Sequence, residues 1–357
     1  MIKKLLTEKN TSILIEIMSV GLILFFGLIV FSNNTFDFSF YRNGDVHRGF
    51  LRGIDVWAGV NSYESFNPTN MLTQEKVPGF FPLYFYVMAF FAWISNFSFI
   101  QFIDTLRFFT FIFYSALGIL IYLNLRKYGK LLAVFGMVIF MFNRWTVFDV
   151  ISLKQESYVL LLLLLSLLTL SKNKYFSFFL FGCALGIKHL AILIAPLYIY
   201  HIYLDYLSVK LSKKFFTKYL FSILLCLSPI LIPSIWYLRQ NPQKMLNAIL
   251  FNATRQPESE VVSNYIVGLD KTLVLYNQDY SNTFLLMLPR FPLIIVLVII
   301  NIFLFSGHLN KWSYSFLTFL AFVSFNPVLF GQYMMWLFLF VPFIIGTLFE
   351  NQLFKNK

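Results

Sequence analysis

The stretch FYRNGDVHRGFLRGIDVWAGVNSYE, Phe40 to Glu64, crowds Asp45, His47, Arg48, Arg52, Asp55 and Glu64 between glycines and aromatic residues. A carboxylate such as Asp45 can accept the proton of a hydroxyl as that hydroxyl attacks a substrate. Arginines beside it, Arg42 and Arg48, suit a departing phosphate, because fixed cations stabilise an oxyanion as its charge develops. Asp37, eight residues earlier, is the alternative base. The same charges also fit a hydrated helix lying on a membrane surface.

A second cluster lies far along the chain. Lys188 and His189 interrupt the otherwise apolar stretch Phe176–Tyr200. An ionisable residue inside a membrane segment costs about 2.5–3.5 kcal/mol on insertion scales and marks a functional site by default. A snorkelling or internally paired lysine and a satisfied histidine are the plainer readings. Cys183 and Cys226 sit in apolar runs as small hydrophobes. The four histidines, 47, 189, 201 and 308, are scattered, and the first polar loop holds no D-x-D pair. No cofactor and no metal are expected.

These residues must be positioned by a membrane bundle. Of 357 residues, 59% are hydrophobic and 12% charged, against about 25% charged in soluble domains. The runs Ile13–Phe31, Phe80–Ile94, Phe108–Leu125, Tyr158–Leu170, Phe176–Ile187, Leu220–Ile235, Phe291–Phe305 and Trp336–Phe349 read as membrane helices. A water-soluble enzyme is excluded. The expected fold is all-α, a polytopic helical bundle of about 10–11 spans forming one integral domain over 1–357. The first run is too long for a signal-peptide core and reads as a retained span.

The net charge of +12 is unevenly placed. Two polar segments, about 32–77 and 237–283, together hold eight Lys/Arg and nine Asp/Glu. The basic excess lies near the N-terminus, at Arg126–Lys130, Lys172–Lys174 and Lys210–Lys218, and near the C-terminus. By the positive-inside rule those segments and both termini face the cytoplasm, and the two balanced loops face outward. The basic balance is thus topological, and no nucleic-acid partner is expected. Within the first loop, Asp45–Val60 has the mixed pattern of an interfacial helix. Phe66–Asn70 marks a turn, and Pro78 and Pro82 open the next span. Taking both Phe80–Ile94 and Phe108–Leu125 as full spans puts Arg126–Lys130 outside, and one half-span restores the rule. Met141–Glu156 sits differently in the two counts. The sequence shows no internal repeat and no paired broken helices.

GDVHRGFLRGIDVWAGVNSYE resembles the first outer loop of the GT-C superfamily of polyprenyl-phosphate-sugar-dependent glycosyltransferases. It is most similar to the glycosylphosphatidylinositol mannosyltransferase I type and to bacterial polyprenol-phosphate-mannose-dependent enzymes. Those families carry an Asp about fourteen residues before a G-x-x-P-Y or G-x-S-P-Y element, as Asp45 stands before Gly59–Tyr63, with Ser62 in place of the Pro. KVPGFFPLYF, Lys76–Phe85, is similar to the family's entry to the next span. FNRWTVFDVISLKQES resembles its Asn-Pro and Glu-Ser element through Asn143 and Glu156–Ser157, with Arg144 replacing the Pro. GCALGIKHLAILIAP matches at Gly182, Lys188 and Pro196, and NATRQPESE at Thr254 and Arg255, without the basic and His signature that follows there. FNPVLFGQYMMWLFLFVP, Phe325–Pro342, is similar to a late Gln-Tyr-x-x-Trp span.

The resemblance implies an inverting, single-displacement transfer of a sugar, mannose favoured, from a polyprenyl-phosphate donor to a glycan or glycolipid hydroxyl at the outer face. Asp45 is the expected base. Lys188, Arg255, Arg48 and Lys76 are candidates for the donor phosphate; for Arg255 an ordinary solvated loop charge is the other reading. His189, Glu156, Gln332, Tyr333 and Trp336 are candidates for the sugars. Glu156 also fits a plain helix N-terminal carboxylate, and Tyr333 and Trp336 also fit interfacial anchors. Membrane lipid is the expected surroundings, and a small membrane subunit stays an open possibility. The competing class is a membrane transporter or lipid-linked glycan flippase. It would call for repeats or paired broken helices.

Overall fold

The structure is a computed structural model. It describes residues 2–32, 38–64, 79–209, 213–254, 290–326 and 331–355. The described residues form helices and turns, with no strand among them. The helices are α1 (Ile2–Ser32), α2 (Phe38–Asn43), α3 (Asp45–Trp57), α4 (Pro82–Ile94), α5 (Phe99–Leu125), α6 (Lys130–Met141), α7 (Arg144–Ile151) and α8 (Glu156–Thr169). They continue as α9 (Lys174–Ile187), α10 (Ala195–Val209), α11 (Lys213–Gln240), α12 (Pro242–Thr254), α13 (Phe291–Phe305), α14 (Lys311–Phe325), α15 (Met334–Phe338) and α16 (Val341–Lys355). Short 3-10 turns lie at Arg126–Tyr128, His189–Ile194 and Gly331–Tyr333.

Five segments among the described residues are long and apolar enough to cross a bilayer: Thr11–Ser32, Phe99–Tyr128, His189–Leu207, Phe216–Gln240 and Gly331–Glu350. The bent pair α6–α7 makes a sixth, and α4, α8, α9 and α13 are shorter apolar helices. The protein is therefore a membrane-embedded helical bundle. The 10–11 full spans expected from hydropathy are not all present as full-length helices, because several runs are cut at 13–15 residues by turns. Others run past their apolar limits. α5 begins nine residues before Phe108, since Asp104 and Arg107 bond to each other at 3.2 Å and hide a helix turn from a hydropathy reading. Lipid-facing surface is plainest on α1, where Leu14, Ile17, Leu24 and Leu28 are each more than half exposed.

Two apolar segments are interrupted. α6 and α7 meet at 53°. Asn143 satisfies both sides of that break: its Nδ2 donates to the carbonyls of Phe140 and Ile139 (2.7 and 3.0 Å), and its Oδ1 accepts from the amides of Trp145 and Thr146. α9 ends where Lys188 turns extended (φ −140°, ψ 113°), and the 3-10 turn His189–Ile194 follows. A break on an apolar segment is tolerated where the freed polar groups are buried in protein.

α3 covers most of the mixed pattern read over Asp45–Val60 and is amphipathic. Its buried residues are Val46, Gly49, Phe50 and Gly53, the i, i+3, i+4, i+7 stripe of an amphipathic helix. That stripe packs on α4, and Phe50 also meets Phe99 and Phe102 with ring centroids 5.3 and 5.1 Å apart. Gly53 permits the close approach: a Cβ there would lie 2.7 Å from the Met88 carbonyl oxygen. Gly53→Ala is expected to push α3 off α4 and cost about 1–3 kcal/mol, the usual penalty of overpacking. A lower thermal unfolding midpoint in detergent checks it, and an unchanged midpoint would show that the helix simply shifts.

The segment after α3 is a helix stop. Gly59 takes φ +67°, its amide donates to Val56 and that of Val60 to Asp55. Ser62, which stands where the resembled families have Pro, donates to Asp55 Oδ2 at 2.9 Å. Tyr63 is fully buried and donates to the Phe80 carbonyl at 2.5 Å. These contacts fix the exit of α3, so Gly59–Tyr63 serves here as an anchor.

Candidate functional site

Asp45 is the first residue of α3, where a carboxylate is favoured by the helix N-terminus. Its side chain is 46% exposed. Oδ1 accepts from Arg48 Nη1 at 3.4 Å, one helical turn on. Oδ2 is bonded by the ammonium of Lys154. Lys154 comes from the turn between α7 and α8, and sequence reading did not single it out. Leu153 before it holds φ +55°, a left-handed conformation that costs a non-glycine residue about 1–2 kcal/mol. The turn is held by the Lys154 amide on the Asp149 carbonyl (3.2 Å) and by the Tyr41 hydroxyl on the Ile151 carbonyl (2.7 Å).

Asp45 and Lys154 line a pocket with Tyr84, Thr110, Gln155 and Tyr158, closed by apolar side chains of α4 and α5. Its volume is about 10 Å³, room for a single water. Entry of anything larger needs side chains to part.

A wholly buried layer of charge accompanies the pocket. Glu156, the first residue of α8, is 0% exposed and ion-paired with Lys188, which is 3% exposed. The Lys188 ammonium also lies 5.4 Å from the Tyr333 ring centroid. Asp149 on α7 is fully buried and accepts from the Tyr114 hydroxyl at 2.7 Å. Asp149 Oδ1, Glu156 Oε2, Ser157 Oγ and His189 Nδ1 have no partner among the described residues. Orphaned buried polar atoms of this kind are rare in folded proteins. Both helix breaks and the start of α8 thus deliver ionisable side chains into the interior.

Of the residues marked in the sequence, the structure pairs Asp45 with Arg48 and gathers Glu156, Lys188 and Tyr333 in the buried layer, with His189 next to Lys188 in the chain. Gln332 is half-buried on the turn that carries Tyr333. Trp336 is fully buried and packs on Phe319 at 5.2 Å, and its Nε1 has no hydrogen-bond partner among the described residues. Asp37, Lys76 and Arg255 lie outside the described residues. Sequence reading missed Lys154, Asp149 and Tyr114. Asp149 carried a usable signal, being an acid within an apolar stretch; Lys154 became visible only through its partner.

Burial raises the Asp45 carboxyl, and the Lys154 ammonium, with Arg48 and then Lys188, outweighs that and leaves it below the ordinary carboxylate value. A value depressed by folding gives stability that is present above the unfolded value, about 3.9, and lost as pH falls through the lower folded one. The Asp45 carboxylate is therefore expected to persist at about pH 4. Infrared difference spectra of wild type against Asp45→Asn at that pH check it; a protonated Asp45 there would contradict the pairing.

Comparison with protein-family models, with curated proteins and with solved structures found no match.

Proposed function

We propose that the protein is a GT-C type glycosyltransferase that moves a sugar from a polyprenyl-phosphate donor to a glycan or glycolipid hydroxyl. The observation that carries this reading is Asp45: a carboxylate in the lining of a small pocket, at the start of an amphipathic helix, between two cations. The ordered resemblances along the sequence support the same reading. The helix would lie along the outer membrane surface, which is where a lipid phosphate sits.

In the proposed reaction the acceptor oxygen attacks the anomeric carbon as Asp45 takes its proton. The bond from that carbon to the phosphate oxygen breaks, and its electron pair leaves on the lipid phosphate. One base suffices for this inverting displacement, unlike the paired acids of retaining hydrolases. Mannose is the favoured sugar, on the resemblance.

The test is transfer of labelled mannose from a polyprenyl-phosphate donor by purified protein in lipid, with membrane extract as acceptor. Label on an extract component supports the reading. Folded protein that moves no polyprenyl-linked sugar of any type sinks it. A second reading, a transporter or flippase, is favoured by the two helix breaks that meet buried ionisable residues. Uptake or flipping by the same protein in sealed vesicles, without transfer, would select it.

A further inference from the structure

We infer that Lys154 couples donor binding to release of the base: its ammonium passes from Asp45 to the donor phosphate as the pocket mouth fills. This deepens the reading above and rests on it. The geometry is specific. Lys154 is held in a turn whose preceding residue, Leu153, is kept at φ +55°. The backbone around it is tied by the Tyr41 and Asp149 contacts. Its side chain is 20% exposed, against 46% for the carboxylate it bonds, so Lys154 is the more buried member of the pair, and both line the pocket.

That arrangement has two consequences. While Asp45 is bonded by Lys154, one of its oxygens is occupied, and a paired carboxylate is a poor acceptor for a hydroxyl proton. The donor phosphodiester carries one negative charge, as the carboxylate does, and competes for the same ammonium; the departing lipid monoester, of which farnesyl phosphate is the analogue, gains a second charge and holds it more strongly. When phosphate takes Lys154, Asp45 keeps only the exposed Arg48 contact and is free to accept the proton. As the sugar–phosphate bond breaks, the electron pair adds charge to the phosphate, and Lys154 is placed to hold it. The base is thus masked until a donor is present, and water at the mouth meets a paired carboxylate.

The experiment measures binding of farnesyl phosphate to the full chain in lipid nanodiscs, with farnesol and inorganic phosphate as comparisons. Lys154→Met is expected to weaken farnesyl phosphate by about ten- to a hundredfold, the size of one charge-assisted hydrogen bond, with Lys154→Arg restoring most of it. Asp45→Asn, which frees the ammonium, is expected to bind farnesyl phosphate several-fold tighter than wild type. A variant that merely failed to fold could not gain affinity. Equal binding by wild type, Lys154→Met and Asp45→Asn overturns the inference. Inorganic phosphate that competes as well as the lipid assigns the site to free phosphate and overturns the donor role. The two readings fail separately. Transfer in wild type with an unchanged donor KM in Lys154→Met removes the switch and leaves the transferase. Lys154-dependent binding of farnesyl phosphate with no transfer in wild type keeps the phosphate site and removes the transferase.

Discussion

Asp45→Asn is expected to lower sugar transfer by about 10²–10⁴-fold, the range a positioned general base supplies. The substitution keeps the shape of the side chain and its place at the start of α3, and removes its ability to take a proton at neutral pH. The loss should fall on kcat, with donor KM unchanged or lowered, because the amide keeps its place in the pocket lining and the Lys154 ammonium is freed for the donor phosphate. Glu64→Gln makes a suitable control. Glu64 pairs with Lys244 at 2.6 Å, away from the pocket lining, and is expected to leave transfer near the wild-type rate. Single-turnover assays with labelled donor separate the two parameters. Wild-type turnover by Asp45→Asn would move the base to Asp37.

The largest effect on stability is expected at the buried pair. Lys188→Met leaves Glu156 0% exposed and without its counterion. Breaking a buried pair on one side costs about 3–5 kcal/mol, since the remaining charge is uncompensated. Removing both charges, as Lys188→Met with Glu156→Leu, should return much of that loss, because well-packed apolar residues replace a buried pair at little or no cost. Unfolding midpoints of the two single variants and the double variant form a cycle whose coupling should be large. Three equal losses would show that the pair contributes through packing alone. If the double variant is stable yet inactive, the charges are there for function and not for the fold.

Much of the fold was legible because hydropathy reports burial in lipid directly. The amphipathic α3 was readable from Val46, Gly49, Phe50 and Gly53, and Lys188 stood out because a charge in an apolar run is costly wherever it sits. Helix limits were less legible. The extra turns of α5 are masked by Asp104 and Arg107, which neutralise each other locally. The bend at Asn143 leaves no trace in hydropathy, since it depends on one side chain bonding backbone on both sides. The site was half legible for the same reason. Asp45 lies in a loop rich in charge and drew attention, whereas Lys154 reads as an ordinary turn lysine until the fold sets it against a residue 109 positions earlier. Tyr114 gains its meaning in the same way, through Asp149.

The Glu156–Lys188 pair also bears on how the chain enters the bilayer. Glu156 opens α8 and Lys188 closes α9, so the two charges lie at the same end of an antiparallel hairpin joined by a four-residue turn, 170–173. Synthesis delivers α8 first. Inserted alone, it would carry an ionised carboxylate without its counterion, and a lone charge in a span costs about 2.5–3.5 kcal/mol on insertion scales. Entry of α8 and α9 as one hairpin, with the counterions already paired, is therefore expected to cost less than entry of α8 alone.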